Sequence, residues 1–176
     1  MGHEFTPGAK CATEGCAETQ HGKSKYCRAC ARVARAKWIE MISAKAAEKD
    51  AREKQWADLY AAAQKAGMEA GQVHVPTPMV VVGHANPLDD SSPAVQRWDV
   101  PDGACGFAWV TIRPGTHSFA KWLVKHGHGS AAYQGGVQVW VHEHNQSIER
   151  KERHASAFAK VLRAAGIDAY SASRMD

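Results

Sequence analysis

Four cysteines fall within twenty residues, as Cys11-Ala-Thr-Glu-Gly-Cys16 and Cys27-Arg-Ala-Cys30, and this spacing of soft ligands points to one tetrahedral zinc ion. Zinc takes thiolates readily because its filled d shell imposes no geometry of its own. Gly15 lets the backbone turn back toward the metal in the first pair, and the second pair suits a turn running into a helix. His21, in the loop between the pairs, is an alternative fourth ligand. A site closed by four protein ligands has no open coordination position, so it holds shape and does no chemistry. Metal binding also supplies the folding free energy that so short a segment cannot draw from an apolar core.

Lys23, Lys25, Arg28, Arg32 and Arg35 cluster around these cysteines, with Lys10, Lys37, Tyr26 and Trp38 nearby. Lysine and arginine grip a phosphate backbone, and aromatic rings stack on bases. The same side chains read equally well as solvated charges at a helix start.

Other residues that could do chemistry lie in the second half. His126, His128, His142 and His144 form an alternative second metal site, with Glu143 or Glu149 as a base. Their spacing matches no metalloenzyme motif, and solvated loop histidines are the simpler expectation. Asp89 and Asp90 could hold Mg²⁺ or exchange protons, but in a run of turn residues such carboxylates more often cap a turn. Cys105 is a nucleophile if His142 partners it, and otherwise a small buried hydrophobe beside a strand.

The elements that must position these residues divide the chain into four zones: a knuckle over 1–31, a long helix over 32–70, a Pro/Gly/Asp-rich linker over 71–103 and a small domain over 104–176. The stretch from Arg32 to about Gly67 is built of helix formers, with Trp38, Met41 and Ile42 and then Trp56, Leu59, Tyr60 and Ala63 on one face. Lys45, Lys49, Arg52 and Glu53 separate the two apolar patches. One patch is expected on the C-terminal domain, and the other on the same core, on a partner or on a second copy, giving a homodimer through the long helix. In the linker, Met79–Val82 reads as a short strand and Asn86–Pro93 as an ordered turn. In the last zone, Gly106–Ile112 alternates Phe107, Trp109 and Thr111 with Ala108, Val110 and Ile112. A helix capped by Thr116 follows, ending near Gly127 and Gly129. Then come a strand with Val137, Val139 and Val141 facing the core, a helix from Asn145 or Ser147 to Gly166, and a closing strand from Ile167. The fold class is therefore α+β or α/β, a βαβαβ domain with helices packed on a sheet.

Composition narrows the class further. A chain of 176 residues with 44% hydrophobic residues supports one proper core and a small appendage. The formal charge of +4 permits contact with a polyanion without requiring it, and the N-terminal region is more basic than this average. No stretch has the length and apolarity of a membrane span and the first residues lack a secretory pattern, so the expectation is a soluble cytoplasmic protein. Five cysteines, four of them clustered, fit a reducing compartment better than a disulfide framework.

The cysteine knuckle together with Pro76-Thr-Pro-Met79, Asn86-Pro-Leu-Asp-Asp-Ser-Ser92, Gly106-Phe-Ala-Trp-Val110, Asn145-Gln-Ser147 and Ser173-Arg-Met-Asp176 resembles a group of small zinc-knuckle proteins of tailed bacteriophages that have no assigned function. The resemblance spans most of the chain. It implies a phage-encoded protein acting in the host cytoplasm on nucleic-acid machinery, and carries no catalytic residues with it. The first expectation is thus a non-enzymatic zinc-stabilised binding protein whose partner is nucleic acid or a host complex that handles it. A small metal-dependent or phosphate-handling enzyme and a virion or scaffold component are the alternatives.

Overall fold

The computed structural model describes residues 8–176, so the first residues of the expected knuckle segment, where a secretory pattern is not expected, lie outside it. The chain forms two units, residues 1–52 and 53–176. Helix α1 (Arg28–Val73) contributes its first half to one and its second half to the other.

In the first unit, the chain before α1 is irregular, tied by the backbone bonds Cys11 N to Glu18 O and Ala12 N to Lys25 O and by a single bridge between Lys10 and Thr19. Its buried hydrophobic residues are Cys11 and Cys27 among the described ones. Such a segment has no apolar core to fold around, as its composition implies. On the first half of α1, Val33, Trp38, Ile39, Met41 and Ile42 are all exposed. The second apolar patch of this helix, Trp56, Leu59 and Tyr60, packs on the core as expected.

The second unit is a mixed α+β body. Its main sheet runs β4-β5-β3-β6, from β3 (Gly106–Arg113), β4 (Ser130–Ala131), β5 (Val137–Trp140) and β6 (Asp168–Met175), with every neighbour antiparallel. Alternation in β3 sends Ala108, Val110 and Ile112 into the core, where they meet Val137, Val139 and Ala169. On that face lie helix α2 (Ser118–Lys125), through Phe119 and Leu123, and helix α3 (Ile148–Ala164), through Phe158 and Leu162. The second half of α1 joins them: Ala63 is fully buried, and Trp56, Leu59 and Tyr60 pack at the margin of the cluster. Trp56 meets Phe119 edge-on at 5.5 Å and Tyr60 meets Phe158 at 5.8 Å between ring centroids.

Several expected boundaries move. α1 starts at Arg28, within the second cysteine pair, and runs through Gly67 and Gly71 to Val73. Those glycines do not end the helix, because they are contact points: a Cβ on Gly67 would collide with the His154 ring and one on Gly71 with the His144 ring. His117, not Thr116, caps α2, its Nδ1 accepting from Phe119 N at 3.2 Å. Ser147 stands at the α3 N-cap without a side-chain bond, and Gly166 follows α3 at φ 78°, the left-handed geometry that closes a helix.

The expected linker is largely a hairpin, in which β1 (Met79–His84) pairs antiparallel with β2 (Ala94–Val100) and neither joins the main sheet. Asn86–Pro93 is its turn, with Asn86 Oδ1 accepting from Leu88 N and Asp89 Oδ1 from both Ser91 N and Ser91 Oγ. Those bonds, the Ser91 hydroxyl first, lower the Asp89 pKa, which suits a turn-capping carboxylate.

Candidate metal centre

Cys11, Cys16, Cys27 and Cys30 are brought together as expected, all four sulfurs within 4.8 Å of one another and none in a disulfide. Four Zn–S bonds of about 2.3 Å in a tetrahedron place sulfurs about 3.8 Å apart. Cys16 Sγ stands 3.8 Å from Cys27 Sγ and 3.7 Å from Cys30 Sγ, so the cage has the dimensions of zinc. Gly15 adopts φ 75°, the left-handed turn that its place before Cys16 anticipates. Backbone donors complete the shell: Cys27 N lies 3.3 Å from Cys11 Sγ, and Cys30 N, in the first turn of α1, lies 3.4 Å from Cys27 Sγ. N–H groups aimed at sulfur favour the thiolate form that a metal requires. His21 is exposed and stands outside the cluster.

The thiols titrate as a group. The Thr13 side chain and then the Cys27 backbone N–H lower Cys11 to about 6. A backbone bond at Glu18 pulls Cys16 down, but the neighbouring thiols, Cys30 foremost, outweigh it and push Cys16 up to about 12. Four negative sulfurs cannot coexist this closely without a cation between them. The donor set therefore fits zinc in geometry and in charge, and Cys11, Cys16, Cys27 and Cys30 would hold it.

Lys23, Lys25, Arg28, Arg32 and Arg35 are all exposed, and none makes an ion pair among the described residues. Lys25 Nζ rests 5.3 Å from the centre of the Tyr26 ring.

The second-half histidines do not converge. His126 bonds Glu53 at 2.9 Å, His128 stacks on Tyr60 at 4.2 Å, and His142 is exposed. His144 has a different neighbour: it and Asn145 both take positive φ, 68° and 53°, in the turn that leads into α3. Its Nε2 then lies 3.1 Å from Nδ1 of buried His154, a partner the sequence reading did not consider. Among the described residues, the cysteine cluster is the one group of three or more such side chains arranged to hold a metal. Glu149 is engaged by His74 at 2.9 Å and Glu143 by Gln64, while a hollow beside Tyr60, His128 and His142 gathers no metal cage. Cys105 is exposed, which corrects the expectation of a buried hydrophobe. Gly106 faces inward, so Cys105 shares the outward parity of Phe107, and no hydrogen bond joins it to His142 among the described residues.

No helix among the described residues is long and apolar enough to cross a membrane. Comparisons with protein-family models, curated proteins and solved structures give no match.

Proposed function

We propose that the protein is a non-enzymatic, zinc-stabilised binder of nucleic acid, or of a complex that handles it, with the knuckle and the start of α1 as contact surface. The observation that carries this reading is the charge of the first unit. Residues 1–52 hold 10 Lys and Arg against 6 Asp and Glu, and residues 53–176 hold 12 against 12, so the first unit accounts for the whole net charge of +4. The five side chains Lys23, Lys25, Arg28, Arg32 and Arg35 are exposed and unpaired among the described residues, available to phosphates or to an acidic protein surface. Exposed Trp38, Ile39, Met41 and Ile42 continue along the same helix as an apolar seat for a protein partner or a second copy. The resemblance to small phage proteins adds a setting, the cytoplasm of an infected bacterium.

The test is salt dependence. Binding to a nucleic acid falls with rising salt, and replacing the five basic residues by Ala weakens it and flattens the log K against log [salt] slope by about one per lost phosphate contact. Affinity and slope unchanged by the five substitutions would refute the assignment of this surface.

A further inference from the structure

We infer that the outer face of the four-stranded sheet is a base-stacking platform for single-stranded nucleic acid. This rests on the reading of the protein as a nucleic-acid binder and adds a second, chemically different site. The first unit offers charge; the sheet offers rings.

The helices cover one face of the sheet, the side of Ala108, Val110 and Ile112. Strand alternation places Phe107, Trp109, Thr111 and Arg113 of β3 on the opposite side. Register lines their neighbours up across the strands. Trp109 stands opposite Trp140 on β5 and Ala172 on β6, Thr111 opposite Gln138 and Tyr170, and Phe107 opposite Arg174. The result is a continuous aromatic surface, with Trp109 and Trp140 centred 5.0 Å apart and Phe107 and Trp140 6.5 Å apart. Tyr170 is 53% and Trp140 37% exposed, and the fully exposed Tyr133 borders a hollow of about 240 Å³ over Trp109, Thr111 and Gln138.

Two features select the occupant. The outward positions carry planar rings, short polar groups and guanidinium ions but no Leu, Ile, Val or Met, which argues against the aliphatic seat of a packed protein interface. Charge is the second. Arg174 lies 5.4 Å from the centre of the Phe107 ring and Arg113 donates to Gln134 O at 3.2 Å, and neither is in an ion pair among the described residues. Asp168 stands across from Arg113 in register, and its proximity raises the Tyr170 pKa. Rings accept any base face, and guanidinium ions at the rim answer the phosphates between bases. A duplex hides its base faces inside its own stack, so the platform fits an unpaired strand.

The experiment measures binding of the full, zinc-loaded chain to a labelled oligothymidylate and to a matched duplex by fluorescence anisotropy. Trp140→Ala and Tyr170→Ala are each expected to weaken single-strand binding by about tenfold or more, with little change for the duplex. Thermal melting checks the fold. Should Trp140→Ala lower the melting temperature, Tyr170→Ala and Arg174→Gln, both at exposed positions of β6, decide the matter. Single-strand binding that survives these changes but is lost when the five N-terminal basic residues become Ala would overturn the platform and leave the first reading standing. Equal affinity for duplex and single strand in the native protein would also overturn it. No affinity for any oligonucleotide would overturn the platform and leave the first reading only its protein-complex form, and a soluble glycan held by the Trp140 face would overturn it by assigning the surface to a different ligand class.

Discussion

The His154 ring lies against the bare backbone of Gly67, in the space a β-carbon there would fill. Helix propensity alone favours Ala over Gly in a helix interior by about 1 kcal/mol. Here the close approach of α3 decides the sign. Forcing a methyl group into a packed site costs about 1–3 kcal/mol, and the neighbouring atoms belong to a ring that is itself buried. Gly67→Ala is therefore expected to lower the melting temperature of the second unit by several degrees, at about 3–5 °C per kcal/mol for a body of this size. A melting temperature that stays level or rises would mean that propensity wins and the ring yields.

The same contact sets a pH dependence. Burial, the leading cause, lowers the pKa of both His144 and His154; Glu143 opposes it, while Arg150 and Lys151 reinforce it at His144. One imidazole must donate and the other accept in their 3.1 Å bond, which two protonated rings cannot do. Both groups bind protons more readily in the unfolded chain than in the folded one. Stability is then full above the ordinary histidine value of 6.5 and declines as pH falls below it, until the folded-state pKa is passed. Denaturant melts of the native protein between about pH 7.5 and 5 should show this decline, and His154→Phe should flatten it. A slope identical in native protein and variant would detach the effect from this pair.

Glu53 provides a second titration of the same sign in a more acidic window, because its pKa too is lowered on folding and its contribution is lost as pH falls below the ordinary carboxyl value of 4.5. Lys125 Nζ lies 2.6 Å from one of its oxygens and His126 Nε2 2.9 Å from the other, and the Lys125 bond is the larger cause of a pKa lowered to about 2. Carboxyl resonances followed by NMR should place Glu53 well below the ordinary value of 4.5, and Lys125→Ala should raise it. An unshifted Glu53 in the native protein would show that the pair is open in solution.

Much of this arrangement is legible in the chain. The cysteine spacing announces a metal cage because ligand geometry is local, and the 3.6-residue and two-residue periods of α3, β3 and β5 announce which side is buried. Other features depend on contacts remote in sequence. Gly67 and Gly71 read as a helix end because nothing nearby in the chain reveals the two rings that need their bare backbone. β2 escapes notice because Gln96, Arg97 and Asp99 interrupt any apolar pattern in a strand exposed along nearly its whole length. The alternation of Phe107 and Trp109 is visible from sequence, but only the strand register brings Trp140, Tyr170 and Arg174 beside them.

Metal removal should act on one unit alone. The first unit buries two cysteines among its described hydrophobic residues and the second buries the entire aliphatic and aromatic cluster. A chelator is expected to melt the segment before α1 and fray the first turns of that helix while leaving the thermal transition of the second unit in place. Hydrogen exchange resolved by segment reads both. Loss of protection in β3 and α3 on chelation would show that the metal supports the whole chain.

Metal content per chain, in the native protein and in a variant carrying both Cys27→Ser and Cys30→Ser, tests the central claim most directly. One zinc in the native protein and none in the variant is the predicted result. A native protein without zinc, or a variant that retains it, would contradict the four-cysteine site.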